Sequence, residues 1–338
     1  MMENINSRVL ELAPYQPGKP IEELSREMGI GDAIKLASNE NPRGPGLGVQ
    51  QALTDATSGL SRYPDSTGYR LKRMLADRLD VDETQITLGN GSNDVLELAA
   101  RVALSPGSIG IVDEYCFVVY PLAITAAHGK VRPVSAVDWG HDLDGMAAAV
   151  DSGTRIVYIA NPNNPTGAIL SAAAMQRVVE VAESVGAWII ADEIYRGAEL
   201  DGIETPTFWG RYDKVVVTSG MSKAFGLPGL RIGWTIVPEN LREQLWARKD
   251  YTTIAMGSLS DVLAMHALQP TARQRIHTRT REILNANLPI LEDWLRERDD
   301  IFTWKPPQAG AIVYARYELP IGGLQLAETM RTEADCLI

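Results

Sequence analysis

Three apolar runs, each ending abruptly in a polar turn, constrain this sequence more than any other feature. The stretch Ile156 to Gly167 (IVYIANPNNPTG) is a β run that meets a turn dense in Asn, Pro and Gly. Trp188 to Tyr195 (WIIADEIY) runs straight into Asp192 and Glu193, with the hydroxyl of Tyr195 behind them. Val215 to Gly233 (VVVTSGMSKAFGLPGLRIG) opens with β-branched residues and turns at Ser222 and Lys223, with Arg231 eight residues further on. Short β runs separated by helical stretches point to a mostly parallel sheet with crossover helices on both faces. Ligands of such sheets bind outside the carboxyl ends of the strands. An amine held there, stripped of hydration, becomes a nucleophile, whereas a lysine in an ordinary surface loop does not. An Asn-rich turn, an acid followed by a tyrosine, and a Ser-Lys pair followed by Arg together suit a phosphorylated aldehyde with a basic ring nitrogen.

The rest of the chain excludes several alternatives. A length of 338 residues and 45% hydrophobic content support one large unit and a smaller one. A formal net charge of −11 argues against a nucleic-acid partner, which requires a basic face. The first twenty residues hold no apolar signal core and no run approaches a membrane span, so a soluble cytoplasmic protein is expected. The two cysteines, Cys116 and Cys336, suit a reducing compartment, and His128, His141, His266 and His277 lack metal-ligand spacing.

Residues 1–44 read as an irregular N-terminal arm, with short helices at Arg8 to Leu12 and Ile21 to Met28. Leu71, Leu75 and Leu79 give one face of a helix after the turn Tyr63-Pro64-Asp65. Gln85 to Leu88 is a short strand ending in GNGSND (Gly89 to Asp94), and Ser92 or Asn93 is expected to cap the helix that follows, whose free N–H groups attract an anion. Strands are expected at Ile109 to Val112 and Val131 to Val134, followed by a polar loop in which His141 is read as a solvated residue. Met175, Val178, Val179 and Ala182 stripe another helix, and Ile232 to Val237 reads as a strand that runs antiparallel. At Pro238 the alternation stops and helices follow at Leu241 to Lys249, Ser258 to Leu268 and Arg279 to Arg296, then a strand-like Gly310 to Tyr317, which reads as a second domain starting at about residue 245.

Three motifs point elsewhere when taken singly. WIIADE is like the magnesium-holding strand end of nucleotide hydrolases, yet no G-x-x-x-x-G-K-[ST] accompanies it. GNGSND is like the dinucleotide fingerprint, but Asp94 stands where its third glycine belongs. Gly220 to Ala224 outlines a serine nucleophile turn without its final glycine, and the nearest following histidine, His266, falls in a helical stretch.

From Tyr15 to Tyr317 the motifs resemble, in order, those of pyridoxal-phosphate-dependent aminotransferases of fold type I. YQPGKPIEEL, IKLASNENP, RYPD, LGNGSNDVLEL, EYCFVVYPL and NPNNPTG are similar to histidinol-phosphate aminotransferases, while ADEIYRG and GMSKAFGLPGLRIGW are more similar to general α-amino-acid aminotransferases. The resemblance implies a large cofactor-binding domain over residues 45–245, a smaller α+β domain over 246–338, and a homodimer. It implies that Lys223 holds the cofactor covalently and moves the Cα proton, that Asp192 pairs with the pyridine nitrogen, and that Asn164 and Tyr195 bond the ring's phenolic oxygen. Tyr115 would stack on the ring. The phosphate would rest on the backbone of Gly91, Ser92 and Asn93, closed round by Ser222 and Arg231. Tyr63 would reach the phosphate of the neighbouring subunit and Tyr15 would help hold a phosphorylated substrate.

The implied reaction transfers an amino group between histidinol phosphate, or another α-amino donor of aromatic or alanine type, and 2-oxoglutarate. A decarboxylase or cyclase of the same fold, or a cofactor-binding fragment without turnover, stands as the alternative. The family supplies the arginine that clamps the substrate carboxylate from a segment beyond ADCLI, and neither Arg316 nor Arg331 matches its motif. The expectation is therefore a truncated small domain and a chain that binds cofactor but turns over poorly.

Overall fold

A computed structural model describes residues 20–29, 34–45 and 48–338. The expected helix at Arg8 to Leu12 and the candidate substrate residue Tyr15 lie outside the described residues. The elements begin with α1 (Ile21–Met28), β1 (Ile34–Lys35), α2 (Val49–Ala56), α3 (Tyr69–Leu79), β2 (Ile86–Gly89) and α4 (Ser92–Ala103). Next come β3 (Ile109–Asp113), α5 (Val119–Ala126), β4 (Lys130–Val134), α6 (Leu143–Ala149), β5 (Thr154–Ala160), α7 (Ala172–Val185), β6 (Trp188–Asp192), β7 (Val215–Gly220) and β8 (Gly233–Ile236). The remainder is α8 (Glu239–Lys249), α9 (Ser258–Leu268), α10 (Pro270–Arg296), β9 (Phe302–Trp304), β10 (Ala315–Tyr317), α11 (Gly323–Glu333) and β11 (Cys336–Leu337).

The three apolar runs become the centre of a seven-stranded sheet of order β2-β8-β7-β6-β5-β3-β4. Successive side chains of a strand point to opposite faces, and here each face meets its own helices. Val157 and Ile159 of β5, Ile189 and Ala191 of β6, and Val215 and Val217 of β7 pack in one core with Leu71, Leu75, Met175, Val178 and Leu268. The intervening Ile156, Tyr158, Ile190 and Val216 pack in a second core with Leu96, Tyr120, Ile124, Leu241 and Leu245. Strands buried on both faces read as continuous apolar runs rather than alternating ones, which is why these three stood out in the sequence.

Strands β4, β3, β5, β6 and β7 are paired in parallel, whereas β8 is antiparallel to both β7 and β2. The reversed β8, expected from the sequence, matters for the site. It brings the start of that strand to the edge at which the other strands end.

Two expected elements change extent. The long helix begins at Pro270 rather than Arg279, with Pro270 in its first turn, a position where the missing N–H costs nothing and the fixed φ suits the helix. The strand expected from Gly310 shrinks to Ala315–Tyr317, paired antiparallel with Phe302–Trp304, because Gly310 sits at φ 82° in a turn. The two-residue strands β1 and β11 pair in parallel, Ile34 opposite Cys336 and Lys35 opposite Leu337. Among the described residues no helix is long and apolar enough to cross a membrane.

Candidate functional site

The tips of β2, β3, β5, β6 and β7, together with the approach to β8, bring the predicted residues other than Tyr63 and Tyr15 to one end of the sheet. At the β7 tip Ser222 is buried and Lys223 half-buried, and the Lys223 amine donates to the Ser38 carbonyl at 2.8 Å. Burial pulls the amine below its ordinary pKa, Glu40 opposes that shift and Arg231 reinforces it. A lysine so placed is more readily available as a free base than one in solvent.

On the adjacent β6 tip, Asp192 is buried, and its carboxylate accepts the Tyr120 hydroxyl at 2.8 Å and the Ile194 N–H at 3.2 Å. Burial raises its pKa to about 6, against which the Tyr120 and Ile194 hydrogen bonds favour the charged form. Tyr120 is held in turn by stacking on Tyr158, with ring centroids 4.7 Å apart and planes 8° from parallel. Nothing in the local sequence marks Tyr120 for this part. It stands in the apolar run EYCFVVY and looks like any core tyrosine.

Tyr195 is buried, and its hydroxyl accepts the Asn39 side-chain amide at 2.9 Å. Asn39 lies in the SNEN turn beside Ser38, so the segment that holds the Lys223 amine also holds the Tyr195 hydroxyl. Lys223, Tyr195 and Asn39 line a cavity of about 60 Å³. Asn164 is half-buried on the loop after β5. On the same loop Asn161 is fully buried, its carbonyl oxygen accepts the Leu170 N–H at 2.9 Å, and its side-chain nitrogen has no partner.

The β2 tip forms a cradle. Gly91 has φ 88°, and a Cβ there would lie 2.1 Å from a guanidinium nitrogen of Arg231. Arg231, itself at φ 50°, reaches this place from the start of β8 and donates to the Asn90 carbonyl at 3.2 Å. The expected cap is corrected here. The helix α4 starts at Ser92 with Gly91 as its N-cap and no side-chain cap bond, so neither Ser92 nor Asn93 caps it. Asp94 instead folds back, its carboxylate accepting the Asn90 N–H at 2.7 Å and the Thr253 hydroxyl at 2.9 Å. The first amides of α4 are left without a side-chain acceptor, the arrangement that favours an anion.

Tyr115 lies beyond the β3 tip, 37% exposed, with its ring centroid 5.3 Å from that of Tyr314. Tyr63 stands fully exposed on the turn before α3, apart from the cluster. His141 is a second correction. It is no solvated loop residue, since its side chain is 4% exposed and its Nδ1 lies 3.0 Å from the Asp113 carboxylate. A polar loop in sequence says nothing of whether one of its members turns inward to a buried acid.

Next to Asp192, Glu193 is also buried and its pKa is raised to about 7, mainly by burial and against the pull of Arg196. For a carboxyl whose folded pKa exceeds its unfolded one, the native state binds more protons, so stability falls as pH rises. Wild type should therefore lose stability relative to Glu193→Gln between about pH 4.5 and about pH 7. Thermal melts of both proteins across that window check it, and parallel curves would refute it.

The arrangement can hold an anion at the Gly91–Arg231 cradle and a protonated ring nitrogen against Asp192, with the Lys223 amine at hand. These features fit pyridoxal phosphate. Residues 31–338 match the family model described as aminotransferase class I and II. The chain is 46% identical over 236 residues to histidinol-phosphate aminotransferase 2 of Pseudomonas aeruginosa, covering 68% of this chain and 63% of that relative. It is 44% identical over 247 residues to histidinol-phosphate aminotransferase 1 of Idiomarina loihiensis, covering 72% and 67%. Aspartate aminotransferase from Thermus thermophilus with maleate superposes with a TM-score of 0.86 at 21% identity, over 99% of this chain and 91% of that one. For aromatic aminotransferase from Pyrococcus horikoshii OT3 the TM-score is 0.83 at 21% identity, over 93% and 88%. At such identities these two structures speak for the fold alone.

Proposed function

Because the chain belongs to the class I and II aminotransferases, a family that works with pyridoxal phosphate, we propose that it is a cytoplasmic enzyme transferring an amino group from histidinol phosphate, or a related amino donor, to 2-oxoglutarate. The observation that carries this reading is the placement of Lys223 and Asp192 on neighbouring strand tips, with the Gly91–Arg231 cradle alongside. The histidinol-phosphate aminotransferases among the relatives favour that donor.

When bound, pyridoxal phosphate supplies an aldehyde that reacts with amines and a ring that draws electrons from the substrate Cα. Lys223 holds the cofactor through its amine, then takes the proton from the substrate Cα and returns it. Asp192 keeps a proton on the ring nitrogen, and Tyr120 and Ile194 N–H keep Asp192 charged. Asn164 and Tyr195 would orient the ring by hydrogen bonds, and Tyr115 would stack on it. Gly91, Ser92, Asn93, Ser222 and Arg231 hold the phosphate. Tyr63, exposed on this chain, serves the phosphate of a second copy in a homodimer, and Tyr15 meets the substrate. Residues 45–245 form the cofactor domain and 246–338 the smaller one.

Titration of the purified protein with pyridoxal phosphate, before and after adding histidinol phosphate, tests this by absorbance. A visible band that changes on adding the donor supports the reading. A band indifferent to histidinol phosphate but responsive to another amine would move the substrate, and no band would overturn the cofactor. Among the phosphate contacts, Arg231→Ala should weaken cofactor binding most, by about tenfold given the exposure of that side chain. The same titration measures it.

A further inference from the structure

Granted the cofactor reading above, we propose that Asp113 and His141 are positioning residues that aim the Tyr115 ring at the cofactor. Asp113 ends β3, and its side chain is 3% exposed. One carboxylate oxygen accepts the Tyr115 backbone N–H at 2.8 Å, which fixes the peptide from which the ring projects. The other lies 3.0 Å from His141 Nδ1, which donates to it. The far nitrogen of His141 faces the Ala160 carbonyl oxygen at 3.4 Å, at the tip of the neighbouring strand β5. The imidazole thus spans two strand tips and holds the acid that holds Tyr115.

The loop that delivers His141 is built for the purpose. Asp138 and Trp139 both have positive φ, 55° and 60°, and Val137 bridges Gly140 to close a tight turn just before the histidine. Consecutive residues other than glycine in the left-handed region are costly and persist where the surroundings impose them. A buried acid without a partner is also costly, so the pair holds together as a unit. Their effect on chemistry passes through Tyr115.

A double-mutant cycle tests this on cofactor affinity rather than on activity. Dissociation constants for pyridoxal phosphate would be measured by absorbance titration for wild type, His141→Gln, Tyr115→Ala and the double variant. Asp113→Asn, nearly the same shape, enters a second cycle, so that the result does not hang on one substitution folding. Each single variant should weaken binding by about threefold to tenfold, the worth of one aromatic contact. The double variant should be no weaker than Tyr115→Ala alone by more than about twofold, because His141 acts through a ring that is gone. Circular dichroism of the bound cofactor should fall in His141→Gln. Penalties that multiply in the double variant, or a lowered Tm with unchanged affinity, would make the pair mere scaffold and overturn the proposal. A wild-type protein that binds no cofactor would overturn the cofactor reading itself, an outcome separate from an additive cycle.

Discussion

Lys223→Ala should reduce kcat/KM for amino transfer by about ten-thousandfold or more, the scale on which a positioned base and nucleophile act. It should also abolish the visible band that forms on adding pyridoxal phosphate, while leaving phosphate-dependent binding measurable by equilibrium dialysis. The cause is specific to this residue. Its amine is drawn below its ordinary pKa by burial, and the Ser38 carbonyl holds it at 2.8 Å beside the Tyr195 hydroxyl and on the strand next to Asp192. Lys35, which also acts on this amine, is itself paired with Glu40 at 2.7 Å. A band that persists in Lys223→Ala would show that another amine carries the cofactor.

Asp192→Asn should lower kcat by about a hundredfold to a thousandfold, as removal of one preorganised charge from a dry site does. The ligand-free protein should melt no lower than wild type at pH 8. Burial raises the pKa of Asp192 to about 6, so at pH 8 the wild-type carboxylate stands charged against the cost of desolvation. Asparagine removes that charge and keeps an oxygen to accept the Tyr120 hydroxyl, and the one bond it gives up, from the Ile194 N–H at 3.2 Å, is the longer of the two. Lost rate with retained Tm is the expected pair of results. A falling Tm with only a slight loss of rate would assign Asp192 to the scaffold.

Much of this was legible because it is local. Apolar runs of four or five residues that stop at polar turns marked β5, β6 and β7, and burial on both faces explains their continuous apolarity. The tips carried Asn164, Asp192 and Lys223 with them. What escaped the sequence depends on contacts between distant segments. Asn39 meets Tyr195 across 156 positions, Tyr120 meets Asp192 across 72, and His141 reaches Asp113 from a polar loop. Each is an unremarkable residue type in its own neighbourhood, and only the folded sheet gives it a partner. The helix cap went astray for a related reason. Ser92 and Asn93 are good capping types, but the tight turn at Gly91, pressed against Arg231, lets the helix start at Ser92 itself, earlier than either cap would allow, and leaves Asp94 to bond Asn90.

The pairing of β1 with β11 bears on the order in which the protein is made. Ile34 and Leu36 donate to the carbonyls of Asp335 and Leu337, and two residues further on Ser38 and Asn39 meet Lys223 and Tyr195. Closing a loop of that length is an entropic cost met late in folding. While the ribosome is still translating, the sheet with its Lys223, Asp192 and phosphate cradle has all of its strands, yet the wall at Ser38 lacks the strand that anchors it. The wall at Ser38 and Asn39 thus hangs on the pairing of β1 with β11, and loosening that pairing frees the Lys223 amine and the Tyr195 hydroxyl of their contacts while the strands that carry them stay in the sheet.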